Sequence, residues 1–283
     1  MTSTPDPALD AAELRRIADR LIGPVVAAGA VEMRHYAAGV EVMAKADLSP
    51  VTVADREAEE ILLAALASIA PDIPVIAEEA VSEGRIPSIG GTFFLVDPLD
   101  GTKEFINKRG EFTVNVALIH AGRPVLGLVY APALSELYAT LAPGEAGMAT
   151  VAPSSGVSDI TGCGFRRIRV RAPDPSALTA VASRSHMTPE TEAFLARYAI
   201  SERRDSGSSL KFCAIARGDA DLYPRLAPTM EWDIAAGHAV LAAAGGAVTD
   251  PDGGPFPYGK ARAGFLNGHF VAWGAPMPLR PRS

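Results

Sequence analysis

Two aspartates three residues apart form the pattern in this sequence that points most directly to chemistry. Asp97 and Asp100 follow an apolar run, with Pro98 between them and Gly101 after them. Because proline fixes φ and glycine permits a tight turn, the chain can curl so that both carboxylates face one point. Mg²⁺ prefers several oxygen ligands, and the curl also offers the backbone carbonyl of Leu99. Taken alone, the segment is equally consistent with an ordinary Asp-Pro turn that carries two solvated acids.

Further carboxylates stand at the ends of other predicted elements. Glu78 and Glu79 follow the apolar run Pro74–Ala77 and could reach the same edge of a sheet. Asp233 follows Trp232 at the start of a predicted helix, where capping of backbone N–H groups is the simpler explanation for one such acid. Three acidic segments that converge on Mg²⁺ would suit phosphate-ester chemistry. Bound metal ions can hold a phosphate, lower the pKa of a bound water and stabilise the leaving oxygen.

The periodicity of apolar residues predicts the elements that must position these acids. The first helix begins behind a capping pair, Asp10 and Glu13, continues to Tyr36 and has a kink at Pro24. A second helix is expected from Ala54 to Ile69. The strands expected next are Pro74–Glu78, Thr92–Asp97, the hairpin Phe112–Ile119 and Pro124–Tyr130, and Ser135–Leu141, with a loop over Pro143–Gly164.

A second half is predicted to begin after the junction Pro173–Pro175. We therefore divide the chain into an N-terminal α+β half, residues 1–172, and a smaller C-terminal α/β half, residues 173–283. The elements expected around and after this junction are strands Ile168–Arg171, Leu178–Ser183, Ala220–Tyr223 and Ala247–Asp250, and helices Pro189–Tyr198, Ser209–Arg217 and Trp232–Ala244.

Composition narrows the classes of protein to which the chain can belong. Its 283 residues are 48% hydrophobic and 21% charged, which supports a large core and excludes wholesale disorder. The formal net charge of −7 argues against a protein that grips a nucleic-acid polymer, since such proteins present a basic face. Two cysteines, Cys163 and Cys213, make no disulfide framework and match no zinc spacing, which fits a reducing compartment.

The sequence also predicts where the protein works. No basic region followed by an apolar stretch stands at the N-terminus, and no run approaches the ~20 strongly apolar residues of a membrane-spanning helix. We expect a cytoplasmic protein without a transmembrane segment, either a monomer or a homodimer. Peripheral contact with the inner face of the membrane is left open.

Two motifs resemble the signatures of a known enzyme family. Asp97–Thr102 (DPLDGT) and Trp232–Gly237 (WDIAAG) are similar to the two signature motifs of the inositol monophosphatase superfamily, a group of Mg²⁺-dependent, lithium-sensitive phosphatases. Within it, the chain most resembles the 3'(2'),5'-bisphosphate nucleotidases of the bacterial CysQ type. The resembling segments cover nearly the whole chain: Ser49–Asp55, Asp97–Phe105, Gly110–Asn115, Ser183–His186, Gly207–Cys213 and Leu222–Arg225. The resemblance implies a layered α/β (α-β-α-β-α) sugar-phosphatase fold with an antiparallel-rich sheet in its N-terminal half. It also implies that the N-terminal half binds the metal and that the C-terminal half binds the substrate.

The resemblance also implies a set of metal ligands and catalytic groups. Two or three Mg²⁺ ions would be held by Glu78, Asp97, the Leu99 carbonyl, Asp100 and Asp233. Thr102, hydrogen-bonded to Asp55, would orient and help deprotonate the attacking water, because a hydroxyl held by a carboxylate can relay a proton. Glu78 belongs to the catalytic group as well as to the ligands. Glu79 is assigned only a place behind the ligands.

The substrate contacts are implied in the same way. The backbone N–H groups of Gly101 and Thr102 would face the phosphate, and Glu78 and Asp233 border it. The other implied contacts are Lys103, His186, Ser208, Ser209, Lys211 and Arg225, with Lys211 and Arg225 as counter-charges for a phosphate that is not cleaved. Two of these residues have simpler explanations that stay open. His186 would serve equally as a helix-cap or core histidine, and Lys211 as a lysine on a solvated helix face.

The predicted activity is therefore Mg²⁺-dependent hydrolysis of the 3'-phosphate of adenosine 3',5'-bisphosphate to AMP and phosphate. 3'-Phosphoadenylyl sulfate is a second candidate substrate, and the reaction would clear a by-product of sulfate assimilation. The alternatives are an inositol-phosphate or fructose-1,6-bisphosphate phosphatase with the same metal core, and a non-catalytic nucleotide-binding regulator. The regulator is disfavoured because the acids and the threonine of the catalytic set are all present: Asp55, Glu78, Asp97, Asp100, Thr102 and Asp233.

Overall fold

The structure, a computed structural model, describes residues 9–39, 42–44, 50–182 and 187–275, which form eight α-helices and fourteen strands. The helices are α1 (Ala11–Ala38), α2 (Val53–Ile69), α3 (Glu78–Ser82), α4 (Thr102–Ile106), α5 (Ile160–Cys163), α6 (Pro189–Leu195), α7 (Leu210–Ala216) and α8 (Glu231–Ala243). The strands are β1 (Val42–Ala44), β2 (Pro50–Thr52), β3 (Val75–Ala77), β4 (Thr92–Asp100), β5 (Thr113–His120), β6 (Arg123–Ala131), β7 (Glu136–Ala142), β8 (Glu145–Thr150), β9 (Arg166–Ile168), β10 (Leu178–Ala182), β11 (Ile200–Asp205), β12 (Leu222–Arg225), β13 (Ala247–Thr249) and β14 (Phe270–Trp273).

A seven-stranded sheet in the order β3-β4-β5-β6-β7-β8-β9 contains the segment with the two aspartates. Only the β3–β4 pair is parallel, so the expectation of an antiparallel-rich N-terminal sheet is confirmed. On β4, Asp97 pairs with Asn115 and Asp100 pairs with Thr113, so the register shifts between the two aspartates. Such an irregularity bends a strand and re-aims its side chains, which here brings two acids of one strand to the same end of the sheet.

A smaller five-stranded sheet, in the order β11-β10-β12-β14-β13, follows in the second half of the chain. Strand β10 runs parallel to β11 and β12, whereas β14 is antiparallel to β12 and β13. The two sheets lie on either side of the expected junction at Pro173–Pro175. The division into halves at residue 172 stays a prediction.

Helices and sheets alternate in five layers. Helices α1 and α2 bury an apolar cluster against one face of the larger sheet. Helices α7 and α8 lie between the two sheets, and α6 covers the outer face of the smaller sheet. Helix α8 is apolar on nearly all sides, as expected for a helix enclosed by other elements, and its backbone approaches Gly127 of β6 closely. The expected α-β-α-β-α layering is confirmed.

Several sequence-based boundaries are confirmed and others are wrong. Helix α1 continues through Pro24, and the Asp10 side chain caps it by accepting a hydrogen bond from the Glu13 N–H at 2.8 Å. The expected loop over Pro143–Gly164 is wrong, because it contains β8 and α5. Strands β11 and β14 were missed. All but the first residue of β11 are exposed, at the edge of its sheet, so it lacks the alternation of apolar residues that marks a half-buried strand.

Candidate metal centre and active site

Three carboxylates from three different elements come together at one end of the larger sheet. Glu78 is the first residue of α3, Asp97 lies on β4 before the register shift, and Asp233 lies in the first turn of α8. One carboxylate oxygen of each lies within 4.8 Å of the others. Asp233 also accepts a hydrogen bond from the Met230 N–H at 2.8 Å, so it caps α8 as well as joining the cluster.

The electrostatics of this cluster fit a cation. Burial, followed by the charges of Asp100 and Glu78, raises the pKa of Asp233 well above its usual value. Carboxylates this close resist joint ionisation unless a positive charge lies among them, and a set made only of oxygen donors suits a hard divalent cation. The residues present therefore fit a divalent metal ion of the Mg²⁺ type.

Asp100 is held differently from the other three acids. Among the described residues, the group whose carboxylate oxygens lie within 4.8 Å of one another is Glu78, Asp97 and Asp233, without Asp100. The charge of Asp100 nevertheless contributes to the raised pKa of Asp233. Its Oδ2 accepts hydrogen bonds from Ser208 Oγ at 2.5 Å, Ser209 N at 2.7 Å and Ser209 Oγ at 3.3 Å. Asn115 Nδ2 adds a longer one at 3.5 Å. The structure thus brings three of the four expected carboxylate ligands together and places the fourth beside them.

The turn after Asp97 is organised by short-range hydrogen bonds. The Leu99 N–H donates to Asp97 Oδ1 at 3.0 Å, and Thr102 Oγ1 donates to the Leu99 carbonyl at 3.4 Å. Gly101 has φ 94°, which favours glycine, and a Cβ there would lie 3.1 Å from the Glu111 carbonyl. These hydrogen bonds link Thr102, through Leu99, to Asp97 of the carboxylate cluster.

Asp55 is buried at the start of α2. Its Oδ2 accepts hydrogen bonds from Thr52 N at 2.8 Å and Thr52 Oγ1 at 2.6 Å, which completes a capping box. The hydrogen bond between Asp55 and Thr102 that the resemblance implies stays a prediction. Glu32 of α1 lies nearby, fully buried. Both its oxygens have no hydrogen-bond partner among the described residues, and burial, aided by the charge of Asp55, raises its pKa well above the usual value.

Sequence reasoning missed a second buried acid, Glu59. Its two oxygens accept hydrogen bonds from the N–H groups of Glu79 at 2.8 Å and Ala80 at 2.9 Å, so Glu59 caps the helix that begins with Glu78. A signal was available, because Asp55 and Glu59 are four residues apart and so share one face of α2, the face that also carries its apolar residues. Glu79 is buried, and its position behind the metal ligands stays a prediction.

A cavity of about 340 Å³ adjoins the carboxylates. Its lining contains three acids and two cations, together with Ser208: the acids are Asp100, Glu104 and Asp233, and the cations are Lys211 and Arg225. Lys211 is buried, and Nζ donates to the carbonyls of Ser208 at 2.6 Å and Ser206 at 3.3 Å. Burial lowers the pKa of Lys211 to about 8. Arg225 Nη2 donates to the Pro228 carbonyl at 3.0 Å, whereas its buried Nε has no partner among the described residues.

The remaining expected contacts are less defined. Lys103 is exposed on α4. His186 and the segment Ser183–His186 lie outside the described residues, so both readings of His186 stay open. The simpler explanation for Lys211, a solvated helix face, is wrong because the side chain is only 5% exposed and borders the cavity. No described helix is both long enough and apolar enough to cross a membrane.

The chain is similar to several known proteins. A sequence model of the inositol monophosphatase family matches residues 13–271. The 3'(2'),5'-bisphosphate nucleotidase CysQ of Shigella flexneri is 45% identical over 232 residues, which cover 82% of this chain and 88% of that protein. The protein of the same name from Escherichia coli O157:H7 is 44% identical over 246 residues, 86% and 94% of the two chains. The crystal structure of CysQ from Bacteroides thetaiotaomicron superposes with a TM-score of 0.74 at 35% identity and covers 96% of this chain and 99% of that one.

Proposed function

The chain belongs to the inositol monophosphatase family, and on that premise we propose that it is a 3'(2'),5'-bisphosphate nucleotidase that converts adenosine 3',5'-bisphosphate to AMP and phosphate. The support comes from curated relatives of that name, which are 44–45% identical over most of the chain. 3'-Phosphoadenylyl sulfate is a second proposed substrate. Clearance of a by-product of sulfate assimilation is the proposed role, and the cytoplasmic location stays a prediction.

One observation carries the substrate proposal: the cavity joins a carboxylate cluster to two buried cations. Lys211 has three donors and uses two of them on backbone carbonyls, so one remains for a ligand. The buried Nε of Arg225 has no partner among the described residues, and such a donor is costly unless an acceptor reaches it. A substrate with two phosphates fits this arrangement. One phosphate would lie at the metal ions held by the carboxylates, and the oxygens of the other would accept hydrogen bonds from Lys211 and Arg225.

The carboxylate cluster is the proposed Mg²⁺ site. Glu78, Asp97 and Asp233 would hold the metal together with Asp100 and the Leu99 carbonyl, with two or three ions in all. Bound Mg²⁺ supplies positive charge to the phosphate oxygens and lowers the pKa of a bound water. Without the metal, the carboxylate cluster would repel an anionic substrate. Bound metal ions would reduce this repulsion, because they neutralise part of the negative charge.

The groups of the chain itself would then orient substrate and water. Thr102 Oγ1 would accept a hydrogen bond from the attacking water. As Thr102 takes the proton of that water, it would pass its own hydroxyl proton to the Asp55 carboxylate, and Glu78 would help to orient the water. The N–H groups of Gly101 and Thr102 would hold the phosphate that is cleaved. Lys211 and Arg225 would hold the phosphate that remains. Lys103 and His186 are proposed as further contacts of the nucleotide. The resemblance implies contacts from Ser208 and Ser209 as well, but the hydroxyls of both serines donate to Asp100 Oδ2.

A substrate panel tests the proposal. Phosphate release is measured from adenosine 3',5'-bisphosphate, 3'-phosphoadenylyl sulfate, inositol 1-phosphate and fructose 1,6-bisphosphate, each with Mg²⁺ and with chelator. We expect the highest kcat/KM for the adenosine bisphosphate, loss of turnover with chelator, and inhibition by lithium. Preference for inositol 1-phosphate would overturn the nucleotidase assignment. Absence of turnover on all four, with metal bound, would favour a regulator.

A further inference from the structure

A short turn in the second half of the chain makes most of the hydrogen bonds to Asp100. We refer to residues Ser206–Ser209 as the serine turn. Ser208 Oγ, Ser209 N and Ser209 Oγ all reach Asp100 Oδ2, across more than 100 residues of sequence. Every hydrogen bond from a described residue to the Asp100 carboxylate ends on this one oxygen, so the other oxygen is left available for a ligand.

The serine turn is itself held from several sides. Lys211 Nζ donates to the carbonyls of Ser206 and Ser208, and the Gly207 N–H donates to Glu111 Oε2 at 3.1 Å. Ser208 has φ 51°, a left-handed conformation that is uncommon for a residue with a side chain. Its hydroxyl also makes a short contact with Thr113 Oγ1. Strained backbone of this kind persists only where its surroundings fix it, so the turn presents its donors in a defined direction.

Ser209 contacts two acidic residues of the proposed metal centre at once. Its buried hydroxyl lies 3.3 Å from Asp100 Oδ2 and 2.8 Å from the backbone carbonyl of Asp233. Asp100 ends β4 in the larger sheet, whereas Asp233 belongs to the first turn of α8. Ser209 therefore links Asp100 of the larger sheet to Asp233 of α8 and fixes the distance between them.

We propose that Ser208 and Ser209 are positioning residues of the metal centre, which hold Asp100 by one oxygen and tie it to the start of α8. The inference rests on the metal centre of the proposed function and differs from the substrate-contact role that the resemblance implies for both serines. Groups that orient metal-binding side chains typically change metal affinity 10–100-fold when they are lost. A direct substrate contact would change KM for the nucleotide and leave metal affinity alone.

Mn²⁺ binding to the metal-free full-length protein distinguishes these roles, with free Mn²⁺ measured by electron paramagnetic resonance. The variants are Ser209→Ala, which removes the bridging hydroxyl, and Ser208→Gly, which removes a hydroxyl while permitting the left-handed backbone. Ser201→Ala is the matched control, because Ser201 is an exposed residue whose hydroxyl, among the described residues, donates only to the Leu178 carbonyl, at 3.3 Å. We expect the Kd for Mn²⁺ to rise about tenfold in both variants and to stay unchanged in the control.

Steady-state measurements of kcat and KM test the same distinction between a positioning role and a substrate contact. At saturating Mn²⁺ the two variants should regain most of their kcat with an unchanged KM for the substrate. Unchanged Mn²⁺ affinity with a raised KM would overturn the positioning role and make the serines substrate contacts. If the wild-type protein itself bound no Mn²⁺, the proposed metal centre would fail and this inference with it. If the wild type binds and the variants bind equally well, only this inference fails.

Discussion

The acidic residues at the site all carry a carboxyl group, but their hydrogen bonds and neighbours differ, and these differences indicate a different role for each. Glu78, Asp97 and Asp233 have an oxygen each within 4.8 Å of the others, which is an arrangement for sharing a cation. Asp100 has one oxygen surrounded by donors from the serine turn. Asp55 caps a helix and stands behind the proposed proton path. At this scale the central expectation is that removing one charge from the cluster removes metal binding without loss of the fold.

Replacement of Asp97 by asparagine tests that expectation. Asn keeps an oxygen for the Leu99 N–H bond of 3.0 Å but lacks the negative charge. We expect Asp97→Asn to lower Mg²⁺-dependent turnover by more than about 100-fold, because a cluster ligand is lost. Thermal unfolding without metal should be no easier, since repulsion among the three acids is reduced. Asp72→Asn, a change of an exposed aspartate, is the control. A near-normal rate for Asp97→Asn would disprove the ligand assignment.

Lys211 gives a prediction about substrate choice and pH. Its pKa of about 8 means that the side chain is charged at pH 7 and mostly neutral at pH 9. We expect kcat/KM for adenosine 3',5'-bisphosphate to fall through this range more steeply than kcat/KM for 3'-AMP, which lacks the second phosphate. Lys211→Met should raise KM for the bisphosphate about tenfold and remove this extra fall. Lys108→Met, at an exposed lysine, is the control. Equal effects on both substrates would mean that Lys211 does not read the second phosphate.

The site is assembled where helices begin. Helix α3 begins at Glu78, α4 at Thr102 and α8 at Glu231, two residues before Asp233. The larger sheet supplies the fixed edge, and the register shift on β4 aims its two aspartates there. The first residues of these helices therefore determine where the ligands lie. We expect mutation of the residues that cap these helices to impair the site as mutation of a ligand does.

Glu59 is the cap to test. Glu59→Ala leaves the N–H groups of Glu79 and Ala80 without their acceptors, so we expect a loss of about 2–3 kcal/mol in the free energy of unfolding in urea. Because Glu78 begins the helix that Glu59 caps, the Kd for Mn²⁺ should also rise, by about tenfold. Glu60→Ala, at the exposed neighbour, should change neither quantity. A stable Glu59→Ala variant with normal metal affinity would show that the cap does not position Glu78.

Helix α1 contributes a prediction about pH and stability. The folded-state pKa of Glu32 lies well above its usual value of 4.5, so the unfolded chain releases this proton first as pH rises. The folded state therefore loses stability between pH 4.5 and the folded pKa, at up to about 1.4 kcal/mol per pH unit. Glu32→Gln should remove this loss, so its stability relative to wild type should increase from pH 5 to pH 7 in urea unfolding. Parallel pH profiles for the two proteins would mean that Glu32 is ionised inside the fold.

At the scale of the whole molecule, the two sheets enclose α8, and the site lies where they meet. Much of this architecture could be predicted from the sequence. Continuous apolar runs predicted β4, β5 and β6. The turn expected between the two aspartates of the DPLDGT segment is instead a register shift within β4. The sequence analysis missed both buried glutamates, Glu32 and Glu59, because charged residues are usually assigned to the outer face of a helix. For Glu59 the helical spacing from Asp55, on the apolar face of α2, was a signal that could have been used. The contact of the serine turn with Asp100 joins residues 108 and 109 positions apart, and no local pattern encodes such a pairing.

The net charge of −7 argues against a nucleic-acid polymer as partner but leaves a nucleotide substrate open. Acids concentrated at the proposed metal centre account for part of that formal charge, while Lys211 and Arg225 place local positive charge in the adjoining cavity. The account therefore requires that one phosphate of the substrate is cleaved at the carboxylates while the other remains bound at the cations.

Phosphorus-31 NMR of adenosine 3',5'-bisphosphate during turnover with Mg²⁺ tests this central claim most directly. The two phosphates have separate resonances, so the spectrum identifies which ester is hydrolysed. We predict that the 3'-phosphate signal is replaced by inorganic phosphate while the 5'-phosphate signal persists as AMP, and that chelator stops the change. Accumulation of 3'-AMP, or an unchanged spectrum with Mg²⁺ present, would contradict the account.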